Sequence, residues 1–327
     1  MGDSEMRAVV VPEHGGVDVL EVRRVPRPTA GPGELVVEVA ASGVNFIDVY
    51  RREGRYPVPT PFVLGSECAG VVVEVGRDVA DVAVGDVIAS AGAVGSHAEY
   101  AVTPAEQAVP VPDGLGAELA AAAILQGVTA HYLLNSTYRL QDGEVALVHA
   151  AAGGVGQLLV QLAKAKGAQV VATVGSAAKA SIAAELGADH VIRYDEVDDL
   201  AGAVREFVPE GVHVAYDGVG QATFEASLAS LRRRGMLALY GASSGPVPPF
   251  DLQRLNAAGS LFVTRPTIAH YAAERAELLW RATEVFEAIA AQDLRIEVGG
   301  RYPLAEVRQA YADLEARRTT GKLLIVP

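Results

Sequence analysis

The sequence predicts an α/β protein of two domains, an antiparallel barrel-like domain and a domain built around a doubly wound parallel sheet. Three observations predict this architecture. The chain has 327 residues, which is long for one domain and suits two. Its first third alternates short valine-rich strands with turns and shows no helices between them, as antiparallel barrels do. From Val145 onward strands alternate with helices, which requires a parallel sheet covered on both faces.

Short apolar runs bounded by turn residues predict the strands of the first region. These strands are Arg7–Pro12, Glu34–Ala40, Gly70–Gly76, Asp86–Ala89 and Ala98–Val102. The proline-rich segments are predicted as loops, and they are Pro26–Pro28 and Tyr56–Pro61. The second loop is rigid enough to shape the edge of a pocket, although a plain surface turn is an equal alternative. Two alanine- and leucine-rich helices are then predicted, Ala117–Leu125 and Thr129–Tyr138.

A βαβ unit stands at the centre of the chain. The stretch Val145–Gly156, V-A-L-V-H-A-A-A-G-G-V-G, is predicted to be a buried strand that runs into a glycine turn. Helix Gln157–Lys166 and strand Ala168–Val174 complete the unit. Strand, glycine turn, helix and strand in this order are typical of a dinucleotide-binding site.

The glycines of this turn lie where a pyrophosphate would need them. Gly153, Gly154 and Gly156 would let the backbone approach the phosphates, and the first N–H groups of the helix would face the negative charge. The strict G-x-G-x-x-G pattern is not met, because Ala151 stands at the first glycine. A tight structural turn therefore stays the alternative.

The end of the second strand indicates which dinucleotide is bound. An NAD-selective site usually carries an acid about 20 residues past the glycines. Here the segment Thr173–Lys179 reads T-V-G-S-A-A-K and contains no acid. Ser176 could donate a hydrogen bond to a 2′-phosphate and Lys179 could supply positive charge, whereas a carboxylate would repel the phosphate. The segment favours NADPH over NADH, with a solvated helix face as the alternative role of Lys179.

Further strand–helix pairs are predicted after this unit. The strands are Ala188–Arg193, Val212–Tyr216 and Met236–Tyr240, and the helices are Lys179–Leu186, Leu200–Phe207 and Ala222–Leu231. From about Leu261 the pattern changes. A long helical segment, a short helix and a last strand are predicted at Tyr271–Gln292, Ala305–Arg317 and Lys322–Val326. We expect this tail to return to the first domain, which would make that domain discontinuous.

Composition excludes several classes of partner. The formal net charge of −13 argues against nucleic acid and anionic membranes, since both need a basic surface. One cysteine excludes a disulfide framework and suits a reducing cytoplasm. The start, M-G-D-S-E-M, is acidic and lacks the apolar region of a signal peptide. The most apolar zone, Leu119–Leu134, is interrupted by polar residues and is expected to be too short to span a bilayer. We therefore expect a cytoplasmic protein.

Five segments resemble one family, the zinc-free quinone oxidoreductases of the medium-chain dehydrogenase/reductase superfamily, which include zeta-crystallin. The segments are Gly43–Asp48, His149–Gly156, Tyr216–Gly220, Gly241–Gly245 and Leu261–Pro266. The second also occurs in enoyl-reductase domains of polyketide synthases, but the set together covers nearly the whole chain. The resemblance implies a GroES-like catalytic domain formed by residues 1–125 and 262–327. It also implies a Rossmann NADPH-binding domain at residues 126–261, NADPH in the cleft, and a homodimer.

The resemblance implies cofactor contacts by position. The residues that would border the nicotinamide ribose are Asn45, Phe46, Ile47, Asp48 and Tyr50, with Tyr132 opposite. Those that would hold the pyrophosphate are Gly154 and Val155, and those around the 2′-phosphate are Gly175, Ser176, Lys179 and Tyr194. Those that would line later turns are Gly218, Gly241, Ala242 and Ser243. Those that would pass the nicotinamide are Phe262, Val263 and Thr264, and the last contact would be Arg317.

No metal is expected. Zinc members of the superfamily bind catalytic zinc through a cysteine near the first motif and a histidine in a Gly-His-Glu sequence. Here Val44-Asn45 and Gly65-Ser66-Glu67 fill those places, and the seven histidines are not clustered. We expect Cys68 to be an inert buried thiol and His149 to be a hydrogen-bonded core residue.

A catalytic hypothesis follows from the chemistry of the acceptor. Negative charge grows on the oxygen of a quinone or enone that accepts hydride, and each donor aimed at it could contribute roughly 2.7–4 kcal/mol by analogy with oxyanion holes. We expect Asn45, Tyr50 and Tyr56 to stabilise this charge or to position the ring. Aromatic packing is the alternative role of the two tyrosines.

The first function predicted is therefore an NADPH-dependent quinone reductase. An NADPH-dependent enone or enoyl (C=C) reductase is the alternative, because the same hydride geometry serves both reactions. A non-catalytic NADPH-binding or RNA-binding crystallin-like protein is a third hypothesis, and the acidic composition weighs against its RNA-binding form.

Overall fold

The protein is described by a computed structural model of residues 5–327. Met1–Ser4, on which part of the expectation about a signal peptide depends, lie outside the described residues. The chain divides into two compact units. The first unit comprises the residues up to Gln126 together with Glu274–Pro327, and the second comprises Gly127–Ala273. The division was expected at residue 262, but Phe262–Thr264 forms a strand that pairs within the second unit.

The described strands, in chain order, are β1 (Glu5–Val11), β2 (Glu21–Pro26), β3 (Glu34–Gly43), β4 (Phe62–Val63), β5 (Cys68–Val75), β6 (Val87–Ser90), β7 (Tyr100–Pro104), β8 (Val109–Pro110), β9 (Val145–Val148), β10 (Gln169–Val174), β11 (His190–Arg193), β12 (Val212–Asp217), β13 (Leu231–Leu239), β14 (Phe262–Thr264), β15 (Val298–Pro303) and β16 (Lys322–Val326). The described α-helices are α1 (Phe46–Arg52), α2 (Ala117–Tyr132), α3 (Gly154–Ala165), α4 (Ala177–Glu185), α5 (Leu200–Phe207), α6 (Phe224–Ser230), α7 (Gln253–Ala257), α8 (Ile268–Tyr271), α9 (Arg275–Ala290) and α10 (Val307–Glu315). A π-helical turn, Leu133–Thr137, continues α2.

The first unit consists mainly of antiparallel strands in two sheets. One sheet has the order β2–β1–β4, and the other has the order β15–β16–β3–β5–β6–β8, with β7 also paired to β3. The last strand, β16, pairs antiparallel with β3 and parallel with β15. Buried Leu35, Val37, Val72 and Ile88 form an apolar cluster under these strands. Over residues 5–327 the pairing does not close into a ring, so the barrel-like domain is a pair of open sheets.

The second unit is a six-stranded sheet in which all pairs are parallel, with the order β11–β10–β9–β12–β13–β14. This is the doubly wound order, and its direction reverses between β9 and β12. The core contains Leu147, Val171, Ala215 and Leu237 from the central strands, all fully buried. Ligands of such sheets bind outside the carboxyl ends of the strands at the point of reversal, which is where the glycine turn begins.

Helix α2 corrects two expectations. The two helices predicted on either side of Gly127 are one continuous helix, because a glycine inside a helix costs only about 1 kcal/mol and the helix packs in the core. With its π-helical turn the segment Ala117–Thr137 has 21 residues and is long and apolar enough to cross a membrane. The expectation that it is too short was therefore wrong. Its most apolar window is 72% buried inside the protein, as in the core helix of a globular domain.

Several elements were not predicted from the sequence. Strand β2 carries arginines on an exposed face, so its apolar alternation is weak. Strand β15 contains two glycines and a proline, which usually indicate turns. Helix α1 has only seven residues, too few for a clear helical period. This last omission matters most, since α1 carries most of the residues predicted to border the nicotinamide.

Candidate functional sites

The glycine turn of the second unit joins β9 to α3. Ala150 has a left-handed backbone with φ of 50°, and α3 begins at Gly154 without a side-chain cap. A Cβ at Gly156 would lie 2.3 Å from the carbonyl oxygen of Ala150, so only glycine lets the helix start this close to the strand. The first-turn N–H groups of a 12-residue helix thus carry the positive end of its dipole without a capping side chain. This end suits a phosphate group.

The end of β10 has an uncharged opening. A Cβ at Gly175 would lie 2.4 Å from the hydroxyl of Tyr194, so the exposed tyrosine packs directly on the glycine. The hydroxyl oxygen of Ser176 caps α4 by accepting from the backbone N–H of Lys179 at 3.4 Å. Its own O–H stays a donor, because accepting a hydrogen bond uses only a lone pair. The segment brings together Gly175, Ser176, Lys179 and Tyr194, the four residues predicted around the 2′-phosphate.

A buried polar network fixes the carboxyl ends of β9 and β12. The carboxylate of Asp217 accepts from two backbone N–H groups of the next turn, at 2.8 and 3.0 Å, and from the hydroxyls of Thr223 and Ser227. Because Ser227 donates to Asp217, His149 must donate its Nε2 proton to the Ser227 oxygen at 2.9 Å. Its Nδ1 then accepts from the Thr173 hydroxyl at 2.8 Å.

Burial lowers the pKa of His149, so its ring is neutral at pH 7. The structure confirms the expected role of this histidine as a hydrogen-bonded core residue. Its ring links the start of the glycine turn to β10 through Thr173 and to α6 through Ser227.

The turns after β12 and β13 approach each other closely. A Cβ at Gly241 would lie 2.4 Å from the carbonyl oxygen of Gly218, and a Cβ at Gly218 would lie 2.8 Å from the ring of Tyr240. The N–H of Ser243 donates to the same Gly218 oxygen at 3.3 Å. The carboxyl ends of two neighbouring strands therefore share one surface, which is formed by Gly218, Gly241, Ala242 and Ser243. The sequence predicted that these four residues line one part of the cofactor site.

The remaining predicted residues of the second unit are one buried tyrosine and the three residues of an edge strand. Tyr132 is buried and stacks on Tyr271, with ring centroids 4.5 Å apart and planes 7° from parallel. Phe262, Val263 and Thr264 form β14, the edge strand of the parallel sheet. Phe262 is 55% exposed and Val263 is 38% exposed, so this edge presents apolar side chains to solvent.

In the first unit Asn45 lies in a buried cluster that the sequence did not predict. Its Nδ2 donates to the carbonyl of Gly43 at 3.1 Å and to the carboxylate of Glu67 at 2.7 Å. Its Oδ1 accepts from the ammonium of Lys322 at 2.8 Å. An amide has two N–H protons, so both are used inside the protein. Asn45 therefore has no amide proton left for a substrate oxygen in this arrangement.

Helix α1 begins immediately after Asn45 and carries Phe46, Ile47, Asp48 and Tyr50. Asp48 is fully buried and accepts from the hydroxyl of Ser66. Burial raises the pKa of Asp48 to about 6, against the opposing effect of the Ser66 hydrogen bond. Asp48 therefore packs inward, whereas Phe46 and Ile47 are partly exposed.

Two tyrosines form an aromatic pair beside α1. The rings of Tyr50 and Tyr56 stack at 6.0 Å with planes 23° apart. Tyr50 is buried, whereas Tyr56, in the proline-rich loop, is 44% exposed. Part of the Tyr56 side chain is therefore accessible to solvent. Arg317, the last predicted contact, is exposed in the left-handed turn that follows α10, with φ of 56°.

Other reactive groups of the first unit are held inside. Burial, reinforced by the charge of Glu67, raises the pKa of Cys68 to about 12, so its thiol is protonated and inert. His97 is also buried, with Ser42 at 2.7 Å from Nδ1 and Tyr311 at 2.7 Å from Nε2. Within residues 5–327, no group of three or more His, Cys, Asp or Glu side chains could hold a metal ion.

Two family models match the chain. The model described as an alcohol dehydrogenase GroES-like domain matches residues 31–113, and the model described as a zinc-binding dehydrogenase matches residues 154–278. Among curated relatives, the quinone oxidoreductase of Pseudomonas aeruginosa is 44% identical over 317 residues, 96% of this chain and 97% of the relative. The 2-haloacrylate reductase of a Burkholderia species is 38% identical over 329 residues, 98% of each chain.

Solved structures match over nearly the same length. A mycobacterial protein complexed with NADPH is 50% identical, with a TM-score of 0.94 over 98% of this chain and 100% of that chain. The Escherichia coli quinone oxidoreductase complexed with NADPH is 40% identical, with a TM-score of 0.96 over the same shares.

Proposed function

Since this chain belongs to the quinone oxidoreductase family of the medium-chain dehydrogenase/reductase superfamily, we propose that it is an NADPH-dependent reductase that transfers hydride to a quinone without a metal ion. The observation that carries the proposal is the glycine turn at the amino end of α3, where a side chain at Gly156 would meet the backbone of Ala150. Such a turn leaves room for a pyrophosphate against the first N–H groups of the helix. When bound, NADPH would supply the hydride.

The end of β10 supports the phosphorylated form of the cofactor. The segment Thr173–Lys179 contains no carboxylate that would accept from a ribose 2′-OH, and it contains a hydroxyl donor and a lysine. Gly175, Ser176, Lys179 and Tyr194 would hold the 2′-phosphate. NADPH complexes of two relatives support the same assignment.

The first unit would act on the quinone through its aromatic pair. Tyr56 is exposed and stacks on Tyr50, so the pair can pack against a planar ring and direct hydroxyls at an oxygen that gains negative charge. Quinones are good acceptors already, so holding the ring in place supplies much of the catalysis. Asn45, whose amide protons are used internally, would border the nicotinamide ribose and hold α1 in position.

Steady-state assays test the proposal directly. NADPH oxidation is measured with a benzoquinone, a naphthoquinone and an α,β-enone, with NADH in parallel and a chelator present throughout. We expect quinone-dependent oxidation of NADPH that the chelator does not reduce, and slower oxidation of NADH. Failure to oxidise NADPH with any of these acceptors would leave a cofactor-binding protein without this activity.

Reduction of a C=C bond is the second candidate, because the 2-haloacrylate reductase relative matches 98% of the chain. The same panel separates the two functions. A larger kcat/KM for the enone than for either quinone would favour C=C reduction. The reverse order would favour quinone reduction.

The edge of the parallel sheet supports a homodimer. An exposed edge strand with apolar side chains is a ready site for pairing with another chain, and β14 presents Phe262 and Val263 in this way. Sedimentation velocity of the purified protein should give twice the mass of the chain, and a monomer would contradict the proposal. The net charge of −13 supports a cytoplasmic protein that binds neither nucleic acid nor membranes, which salt-sensitive retention on RNA would contradict.

A further inference from the structure

We propose that Lys322 and Glu67 are positioning residues whose buried ion pair holds Asn45 and thereby orients helix α1. The helix carries Tyr50, one half of the aromatic pair assigned to the quinone. The inference thus rests on the proposed function and deepens it, because neither charged residue touches the substrate. It assigns a role to the last strand of the chain, β16, on which Lys322 lies.

The pair is fully withdrawn from solvent. Glu67 is 0% exposed and Lys322 is 1% exposed, and Nζ lies 2.6 Å from Oε2. The second carboxylate oxygen of Glu67 accepts from the backbone N–H of Leu125 at 3.0 Å. Removing two charges from water is costly, and apolar residues of the same volume often serve stability equally well. Packing alone therefore does not account for an ion pair at this place.

The backbone around the pair is shaped to fit it. A Cβ at Gly43 would lie 2.0 Å from Oε2 of Glu67 and 2.6 Å from Cε of Lys322, so a side chain here would displace the ion pair. The N–H of Gly43 donates to the carbonyl of Glu67 at 3.2 Å, and the N–H of Val44 donates to the carbonyl of Leu323 at 2.9 Å. Three distant segments therefore meet at this pair: the end of β3, the residue before β5 and the start of β16.

Asn45 connects the pair to the helix. Its amide oxygen accepts from Lys322 and its amide nitrogen donates to Glu67, so both charged partners fix the rotation of one side chain. Its backbone carbonyl accepts from the N–H of Asp48 at 3.2 Å in the first turn of α1. The direction in which α1 leaves β3, and with it the place of Tyr50, follows from this anchor.

A charge-neutral double variant separates positioning from stability. In Lys322→Met/Glu67→Gln both charges leave together, so no ion stays buried without a partner and the urea midpoint should stay close to that of the wild type. We expect kcat with a benzoquinone to fall about tenfold or more, because α1 loses its anchor. NADPH affinity should change much less than kcat, because the residues proposed to hold its phosphates lie in the second unit. Amide exchange across Phe46–Arg52 should become faster.

Asn45→Ala leaves Lys322 and Glu67 paired and removes the side chain that connects them to α1. It should show the same loss of kcat and the same faster exchange across α1. Combined with the double variant it should cause no further loss, since both changes break one connection. Losses that add would mean that Asn45 acts on the substrate directly. They would contradict the proposal.

The matched control is the exposed pair Arg301–Glu118 of the same unit, whose Nε and Oε1 lie 2.8 Å apart. Arg301→Met/Glu118→Gln should leave kcat and exchange across α1 at wild-type values. If Lys322→Met/Glu67→Gln behaves like this control, the ion pair only stabilises the fold and the proposal is overturned. Should the double variant not fold, wild-type kcat and exchange in Asn45→Ala would overturn it equally. A wild-type protein inactive on quinones would refute the proposed function, while exchange across α1 would still report on the anchor.

Discussion

Asp217 of the second unit and Glu67 of the first unit are both buried carboxylates, and they are stabilised in different ways. In the second unit Asp217 is surrounded by four neutral donors, two backbone N–H groups and the hydroxyls of Thr223 and Ser227. In the first unit Glu67 is paired with the ammonium of Lys322. In the part of the chain that the structure describes, only neutral dipoles surround the charge of Asp217, whereas Glu67, which also accepts from Asn45 and the N–H of Leu125, has one full positive charge beside it.

The difference extends to how each site is assembled. The donors to Asp217 all come from within ten residues of it, so this network forms together with β12, the turn after it and helix α6. Lys322 lies 255 residues from Glu67 along the chain. The site of the first unit is therefore complete only after the C-terminal strand has paired with β3. The network around Asp217 forms from neighbouring residues and does not depend on a charge elsewhere in the chain. The cluster around Glu67 depends on the distant Lys322.

Removing the ammonium group of Lys322 should have the largest effect on the free energy of unfolding. In Lys322→Met the charge of Glu67 stays buried without its partner, and the free energy of unfolding should fall by about 3–5 kcal/mol. Urea denaturation at pH 7 measures this loss. Adding Glu67→Gln should restore most of it. A single variant as stable as the wild type would show that Glu67 does not depend on Lys322.

The stability should depend on pH through Asp48, the second buried carboxyl near α1. Its folded pKa of about 6 lies above the usual 3.8, so its contribution to stability is fully present below the unfolded pKa and is lost as pH rises through 6. Asp48→Asn removes this dependence. From pH 4 to 7 the stability of the variant relative to the wild type should therefore rise by about 2–3 kcal/mol.

Urea denaturation at pH 4, 5.5 and 7 measures this rise. The exposed Asp81→Asn serves as the control and should change little with pH relative to the wild type. A constant difference between Asp48→Asn and the wild type across the series would contradict the raised pKa.

Asp217→Asn should lower the free energy of unfolding by less, because it removes one charge that neutral donors surround and leaves no other charge without a partner. The new NH₂ group would face the hydroxyls of Thr223 and Ser227, which now donate to the carboxylate. We expect a loss of about 1.5–3 kcal/mol in the free energy of unfolding, the range for hydrogen bonds to charged groups. Urea denaturation beside Lys322→Met gives the ranking. A loss larger than that of Lys322→Met would reverse the comparison.

The distance along the chain between the residues of each site decides what could be predicted from the sequence. The strand, glycine turn and helix of the second unit are consecutive, so apolar period and glycine spacing indicate them directly. The cluster around Asn45 could not be predicted in this way, because its partners lie 22 and 277 residues away. The family resemblance placed Asn45 beside the nicotinamide ribose, and the catalytic hypothesis directed its amide at the substrate oxygen, whereas both amide protons are used inside the protein. The sequence feature that best indicated this buried cluster was Glu67, because it lies in an apolar stretch where a charge without a partner is unfavourable.

The most direct test of NADPH binding at the second unit is the affinity of Ser176→Asp for the two cofactors. Aspartate still caps α4, as does the neutral control Ser176→Asn, so the helix is kept while a negative charge is added. Titration should show that the charge weakens NADPH binding about tenfold or more and does not weaken NADH binding, while the control changes little. Equal weakening of both cofactors, or a wild-type protein that prefers NADH, would contradict the account.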